Sequence, residues 1–152
     1  TLPEINTAKQ ECYFLDKDGY IFDEAPYFSG EVYFKFYGET VLNNDGIPSE
    51  SYFSPNIFSK LILFKETLET IGLKPVASYI ENKGDIKILL ARKTSAAGPE
   101  IIFKAAADFQ KLAENLQAEL TTEPLQSNFD KKYSSLLYID LRFGNKVYYK
   151  FQ

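Results

Sequence analysis

The chain of 152 residues contains no histidine, no tryptophan, no methionine and a single cysteine. Without histidine, a triad that uses imidazole as its base and any zinc or iron site ligated by imidazole are excluded. One cysteine, Cys12, permits neither an internal disulfide nor a cysteine cluster. It lies in the run Cys12-Tyr13-Phe14-Leu15 and reads as a small buried hydrophobe, since no imidazole is present to activate it. A surplus of basic charge is also missing. The net charge is −4 and the isoelectric point lies near 5.0, whereas nucleic-acid-binding domains carry basic patches and run above a pI of ~9. Lys131–Lys132 and Arg92–Lys93 are isolated pairs that read as solvated surface.

Long apolar runs are lacking too. The densest stretch, Ile57 to Phe64, is broken by Ser59 and Lys60, well short of the ~18 residues a membrane span requires. The opening residues have no signal-peptide pattern. The want of methionine even at position 1 leads us to expect a trimmed N-terminus or a piece of a longer chain, with any targeting or anchoring segment upstream. No glycine-rich phosphate loop occurs, because the 8 glycines stand singly at turn positions. Asp16-x-Asp18-Gly19 has the opening of a calcium loop. Its sixth and twelfth positions would be Ile21 and Tyr27, where glycine and glutamate are needed, so the aspartates read as turn formers. No pair among the 21 acidic residues is singled out as a glycosidase's two carboxylates. No catalytic residue, metal ligand or cofactor is nominated, and the domain is expected not to be an enzyme.

What is present is an aromatic-rich alternation. The 13 Phe and 11 Tyr fall largely at strand spacing and are expected to fill a core and a sheet face. Thr1 to Gln10 is a polar lead-in. Cys12–Leu15 and Tyr20–Phe22 flank an Asp-Gly turn and predict a hairpin, with Gly19 supplying the positive φ. Glu31 to Tyr37 predicts a third strand, and Asn43 to Pro48 a loop after it. Ser54 as N-cap, Pro55 at the first position and Gly72 at the end bound a helix whose inner stripe is Ile57, Leu61, Phe64, Leu68 and Ile71.

Strands follow at Lys74–Glu81 and Asp85–Ala91 around Asn82-Lys83-Gly84. After a surface loop over Thr94 to Pro99 comes a short strand at Glu100–Phe103. A second helix covers about Ala106 to Leu120, with Phe109, Leu112, Ala113, Leu116 and Leu120 inward. Thr121 to Ser135 is polar, with room for a short helical turn. The resulting class is α+β: a mostly antiparallel sheet, two helices packed on one face, and a C-terminal β-hairpin.

That hairpin joins Leu137–Phe143 to Val147–Phe151. Matching like with like favours a three-residue loop, Gly144 to Lys146, pairing Phe143 with Val147, Leu141 with Tyr149 and Ile139 with Phe151. Arg142 would then face Tyr148, and Asp140 would face Lys150.

The opening Cys12-Tyr13-Phe14-Leu15-Asp16-Lys17-Asp18-Gly19-Tyr20-Ile21-Phe22 and the closing Tyr138-Ile139-Asp140-Leu141-Arg142-Phe143 resemble the two ends of the extracytoplasmic β-domain of the FtsQ/DivIB cell-division family. In that family an Asp-x-x-Gly turn joins the first strands and an Asp-Leu-Arg-aromatic strand lies near the C-terminus. The likeness covers residues 11–152 as one domain; Tyr27 to Ser51 lies outside the matched motifs.

The resemblance implies a scaffold module at the division septum. It would sit on the outer face of the bacterial cell membrane, behind a single-pass anchor and a POTRA domain not contained in this sequence. It implies as partners the division proteins FtsB (DivIC) and FtsL, captured by strand addition at the C-terminal sheet edge. The residues carried over are Arg142, Phe143, Asn145, Lys146, Val147, Tyr149 and Phe151. Arg142 would pair with a partner carboxylate, and Phe143 and Phe151 would serve as anchors. The alternative from the residues alone is an extracytoplasmic domain that binds a small molecule or glycan through its tyrosines.

Overall fold

The computed structural model of the chain describes residues 12–26, 33–37, 55–81, 84–92 and 98–152. The lead-in, the start of the third strand at Glu31–Val32, the loop over Asn43 to Pro48, the Ser54 cap, Asn82–Lys83 and most of the Thr94 to Pro99 loop lie outside the described residues.

The first hairpin forms as its turn chemistry dictates. The Asp16 carboxylate accepts hydrogen bonds from the backbone N–H groups of Asp18 (2.9 Å) and Tyr20 (3.0 Å). Gly19 takes φ of 86°. Strands β1 (Cys12–Leu15) and β2 (Ile21–Ala25) pair antiparallel, but as a two-stranded sheet of their own and not as part of the main one. Cys12 is half-buried there, because every residue of β1 keeps partial exposure; the expected full burial does not hold.

The main sheet has six strands in the order β3 (Lys35–Tyr37), β4 (Pro75–Ile80), β5 (Asp85–Leu90), β6 (Glu100–Lys104), β7 (Leu136–Phe143) and β8 (Lys146–Phe151). Three of its five pairings are antiparallel; β3–β4 and β6–β7 are parallel. Each parallel pair is bridged by helix: α1 (Pro55–Ile71) in the first, α2 (Phe109–Leu120) and α3 (Leu125–Lys131) in the second. Both crossovers start from strands of the same direction and step the same way across the sheet. With the usual right hand they place their helices on one face. There, Phe64 of α1 and Phe109 of α2 meet Phe103 of β6, with ring centroids 4.8 to 5.6 Å apart.

The α+β class is as the sequence predicts, with differences in detail. The inner stripe of α1 is Phe58, Leu61, Phe64 and Leu68, all buried, while Ile57 and Ile71 are half-buried. Helix α2 begins at Phe109 and not near Ala106, because Asp108 caps it. Its carboxylate accepts from the N–H groups of Gln110 (3.1 Å) and Lys111 (3.3 Å). The helical turn expected between Thr121 and Ser135 is a third helix, α3, anchored by Leu125, which is fully buried. Its C-terminal continuation, a 3-10 turn over Tyr133–Ser135, donates the Tyr133 hydroxyl to the Ala91 carbonyl at 2.7 Å.

One buried group stands against this packing. Ser78 of β4 has no exposure, and among the described residues its hydroxyl has no hydrogen-bond partner. A hydroxyl buried without a partner costs ~1–3 kcal/mol. Ser78→Ala is therefore expected to raise the unfolding free energy by about 1 kcal/mol, read as an upward shift of the denaturant midpoint at constant slope.

The terminal hairpin corrects the predicted register. Phe143 pairs with Lys146, so the loop is the two residues Gly144–Asn145, with Gly144 at φ 63°. Along the strands, Ile139 pairs with Tyr149, Asp140 with Tyr148, and Tyr138 with Lys150. Between Asp140 and Phe143, two residues of β7 (Leu141 and Arg142) oppose one of β8 (Val147). That β-bulge restores the face parity that a plain two-residue loop would break. A second shift, between Leu136 and Tyr138, lies at the other end of β7. The three-residue loop satisfies the same apolar-face requirement only if both strands are regular, which β7 is not.

Candidate interaction surface

The face of the sheet away from the helices carries the charged and exposed aromatic side chains of β5 to β8. At its centre is Arg142. Period-two alternation puts Asp140 and Arg142 on one face of β7. The carboxylate of Asp140 accepts from the Arg142 backbone N–H (3.1 Å), from Nε (2.9 Å) and from Nη2 (2.7 Å). The remaining arm, Nη1, donates to Asp85 Oδ2 of β5 at 3.0 Å, reaching across β6. Asp140 is 5 % exposed and Ile102 of β6, its partner in the ladder, is also buried. These bonds, Asp140's first, raise the Arg142 pKa further above its ordinary value, so the guanidinium stays charged. It is a structural clamp joining β5 to β7. Three of the five guanidinium N–H donors, one on each nitrogen, are engaged within the chain, so the expected fork for a partner's carboxylate would have only the other two to offer.

Beyond the clamp, the same face holds Lys87 of β5, whose Nζ lies 2.9 Å from Glu81 and 3.9 Å from Glu100. The hydrogen bond to Glu81 raises the pKa of Lys87. Tyr79 stacks flat on Tyr37 with centroids 4.8 Å apart. Its phenol is pushed up to about 12, first by burial and then by Tyr37 and Glu100. Ionisation of an unfolded tyrosine begins near pH 10, before that of the folded one. The unfolded chain then binds fewer protons, and stability is lost as pH rises from 10 towards 12. Denaturation curves between pH 9 and 12 are expected to show this loss, and Tyr79→Phe to reduce it. An unchanged slope in that variant would assign the loss to other groups such as Lys87.

The hairpin tip is the aromatic part. Phe143 is 54 % exposed and Tyr148 48 %. Their rings meet edge to face at 5.4 Å, and the Arg142 guanidinium lies 5.7 Å from the Phe143 centroid. Asn145 and Lys146 are exposed in and beside the turn. Val147, Tyr149 and Phe151 are half-buried and pack against the core, so their side chains face the helices and not an incoming chain. Phe151, expected as an anchor, lies on this half-buried row.

Sequence reasoning missed Tyr148 and Lys150. Both are exposed on the outward row of β8, and the strict alternation of that strand was the signal that could have found them. The backbone of β8 is the last in the sheet order, and among the described residues no strand pairs with its outer side.

Among the described residues no helix is long and apolar enough to cross a membrane. No family model matches the chain, and no curated protein matches it either.

Proposed function

We propose that this domain is a protein-binding module, not an enzyme, and that it captures an extended partner segment by strand addition along β8. The observation that carries the reading is the position of β8 at the end of the six-strand order, beside the exposed Phe143–Tyr148 pair at its tip. An unpaired strand edge is a liability unless it is covered or used. In use, its backbone groups give affinity and its flanking side chains give specificity.

The resemblance of both ends of the domain to the FtsQ/DivIB β-domain supplies the setting. The module would act as a divisome scaffold on the extracytoplasmic face of the bacterial cell membrane. It would hold division proteins of the FtsB/DivIC and FtsL type during septum formation, and be anchored by a segment upstream of this sequence.

The test is a calorimetric titration with the extracytoplasmic segment of the FtsB/DivIC-type protein from the same genome. Phe143→Ala removes an exposed ring and leaves the core intact. It is expected to weaken binding about tenfold or more, as loss of a central aromatic anchor does. Wild-type chain that fails to bind removes the division partner from the reading. A Phe143→Ala variant that binds as tightly as wild type removes the hairpin tip from the interface.

A further inference from the structure

The outward row of β8 is Lys146, Tyr148, Lys150, and all three are exposed. This places two like charges four residues apart on the edge strand of a chain whose net charge is −4. Their neighbours across the ladder do not neutralise them. Lys146 faces Phe143, Lys150 faces Tyr138, and Tyr148 faces Asp140. Asp140 is the nearest carboxylate in this row, and it is already the acceptor of three hydrogen bonds from Arg142. Among the described residues neither lysine forms an ion pair.

A second copy of the chain is a poor occupant of this edge. In the two-fold antiparallel register that overlaps most of β8, Tyr148 meets its own copy and Lys146 stands opposite Lys150, twice by symmetry. Like charges directly opposite one another destabilise a strand pair, whereas opposite charges stabilise it.

We infer that the Lys146–Lys150 pair selects what adds to β8: it bars self-pairing and admits an extended acidic segment with carboxylates four residues apart. A small or β-branched residue between the two carboxylates would lie against the Tyr148 ring. The inference rests on the strand-addition reading and adds the chemistry of the partner. The same row that keeps the domain from zipping to itself is the row that reads the incoming strand.

The test uses two blocked seven-residue peptides that alternate valine and threonine. One has glutamate at its second and sixth positions and the other has lysine there. Each is titrated into the isotopically labelled chain, and the backbone amides of residues 146–151 are followed by chemical shift. The glutamate peptide is expected to bind about tenfold more tightly than the lysine peptide, as two cross-strand charge pairs imply. The preference should shrink at high salt and vanish in Lys146→Gln/Lys150→Gln, whose substitutions are at exposed positions.

Equal binding of both peptides along β8 overturns the charge selection and leaves strand addition standing. If neither peptide perturbs the β8 amides, strand addition itself falls, and the selection with it. Sedimentation of the wild-type chain is expected to show a monomer. A dimer whose contact protects the β8 amides from hydrogen exchange overturns the bar on self-pairing.

Discussion

Leu61→Ala is expected to lower the unfolding free energy by ~2–5 kcal/mol, through lost burial and the cavity that remains. Leu61 is fully buried, midway along the α1 stripe that runs from Phe58 to Leu68. Phe64 on that stripe is locked against Phe103 and Phe109, so this part of the core has little freedom to collapse into the gap. The control is Leu63→Ala on the same helix. Leu63 is 62 % exposed, and its loss should stay within about 0.5 kcal/mol. Urea denaturation of both variants measures the difference. Equal small losses would mean that the helix is rotated about its axis from the phase described.

Gly19→Ala is expected to cost about 2–5 kcal/mol, from two sources acting at once. The residue sits at φ 86°, where a side chain meets its own backbone at ~1–2 kcal/mol. A Cβ there would also lie 2.6 Å from Cγ of Phe58, whose ring is 1 % exposed and has nowhere to go. Overpacking of that kind adds ~1–3 kcal/mol. Gly144→Ala separates the two sources. It shares the positive φ, at 63°, but nothing stands within 4 Å of the added methyl. It should lose only about 1 kcal/mol. Similar losses at both positions would show that the first hairpin is not seated on α1 through Phe58.

The parts of the fold that the sequence announced are those written in local chemistry. The Asp16 turn and most of the α1 stripe each depend on residues within a few positions of one another. Their signals are turn residues and periods. The terminal hairpin failed differently. Choosing between loop lengths by face matching assumes that both strands are regular, and no residue type at Leu141–Arg142 declares the bulge that reconciles a two-residue turn with an apolar inner face.

The candidate site was half legible for a related reason. Asp140 and Arg142 share a face by alternation, so their pairing could be read directly. Asp85, 57 residues away in sequence from Arg142, enters only once β5 and β7 are placed on either side of β6. Reading Arg142 as a fork for a partner took neither carboxylate into account. Of the outward row of β8, the residues carried over by the family likeness include Lys146 but not Tyr148 or Lys150, although strand alternation puts all three on one face.

In the six-stranded sheet, spatial order repeats chain order from β3 to β8. No strand is inserted between two that precede it, so assembly needs no paired edge to open and can proceed by accretion, each strand docking on the one before. The three antiparallel pairings close short loops, which favours rapid folding, while the two parallel ones close through the helical crossovers. In such a process β8 docks on the exposed flank of β7 with no rearrangement of the strands behind it. A strand supplied by another molecule would meet β8 as β8 met β7, so binding at this edge is one more round of the growth that built the sheet.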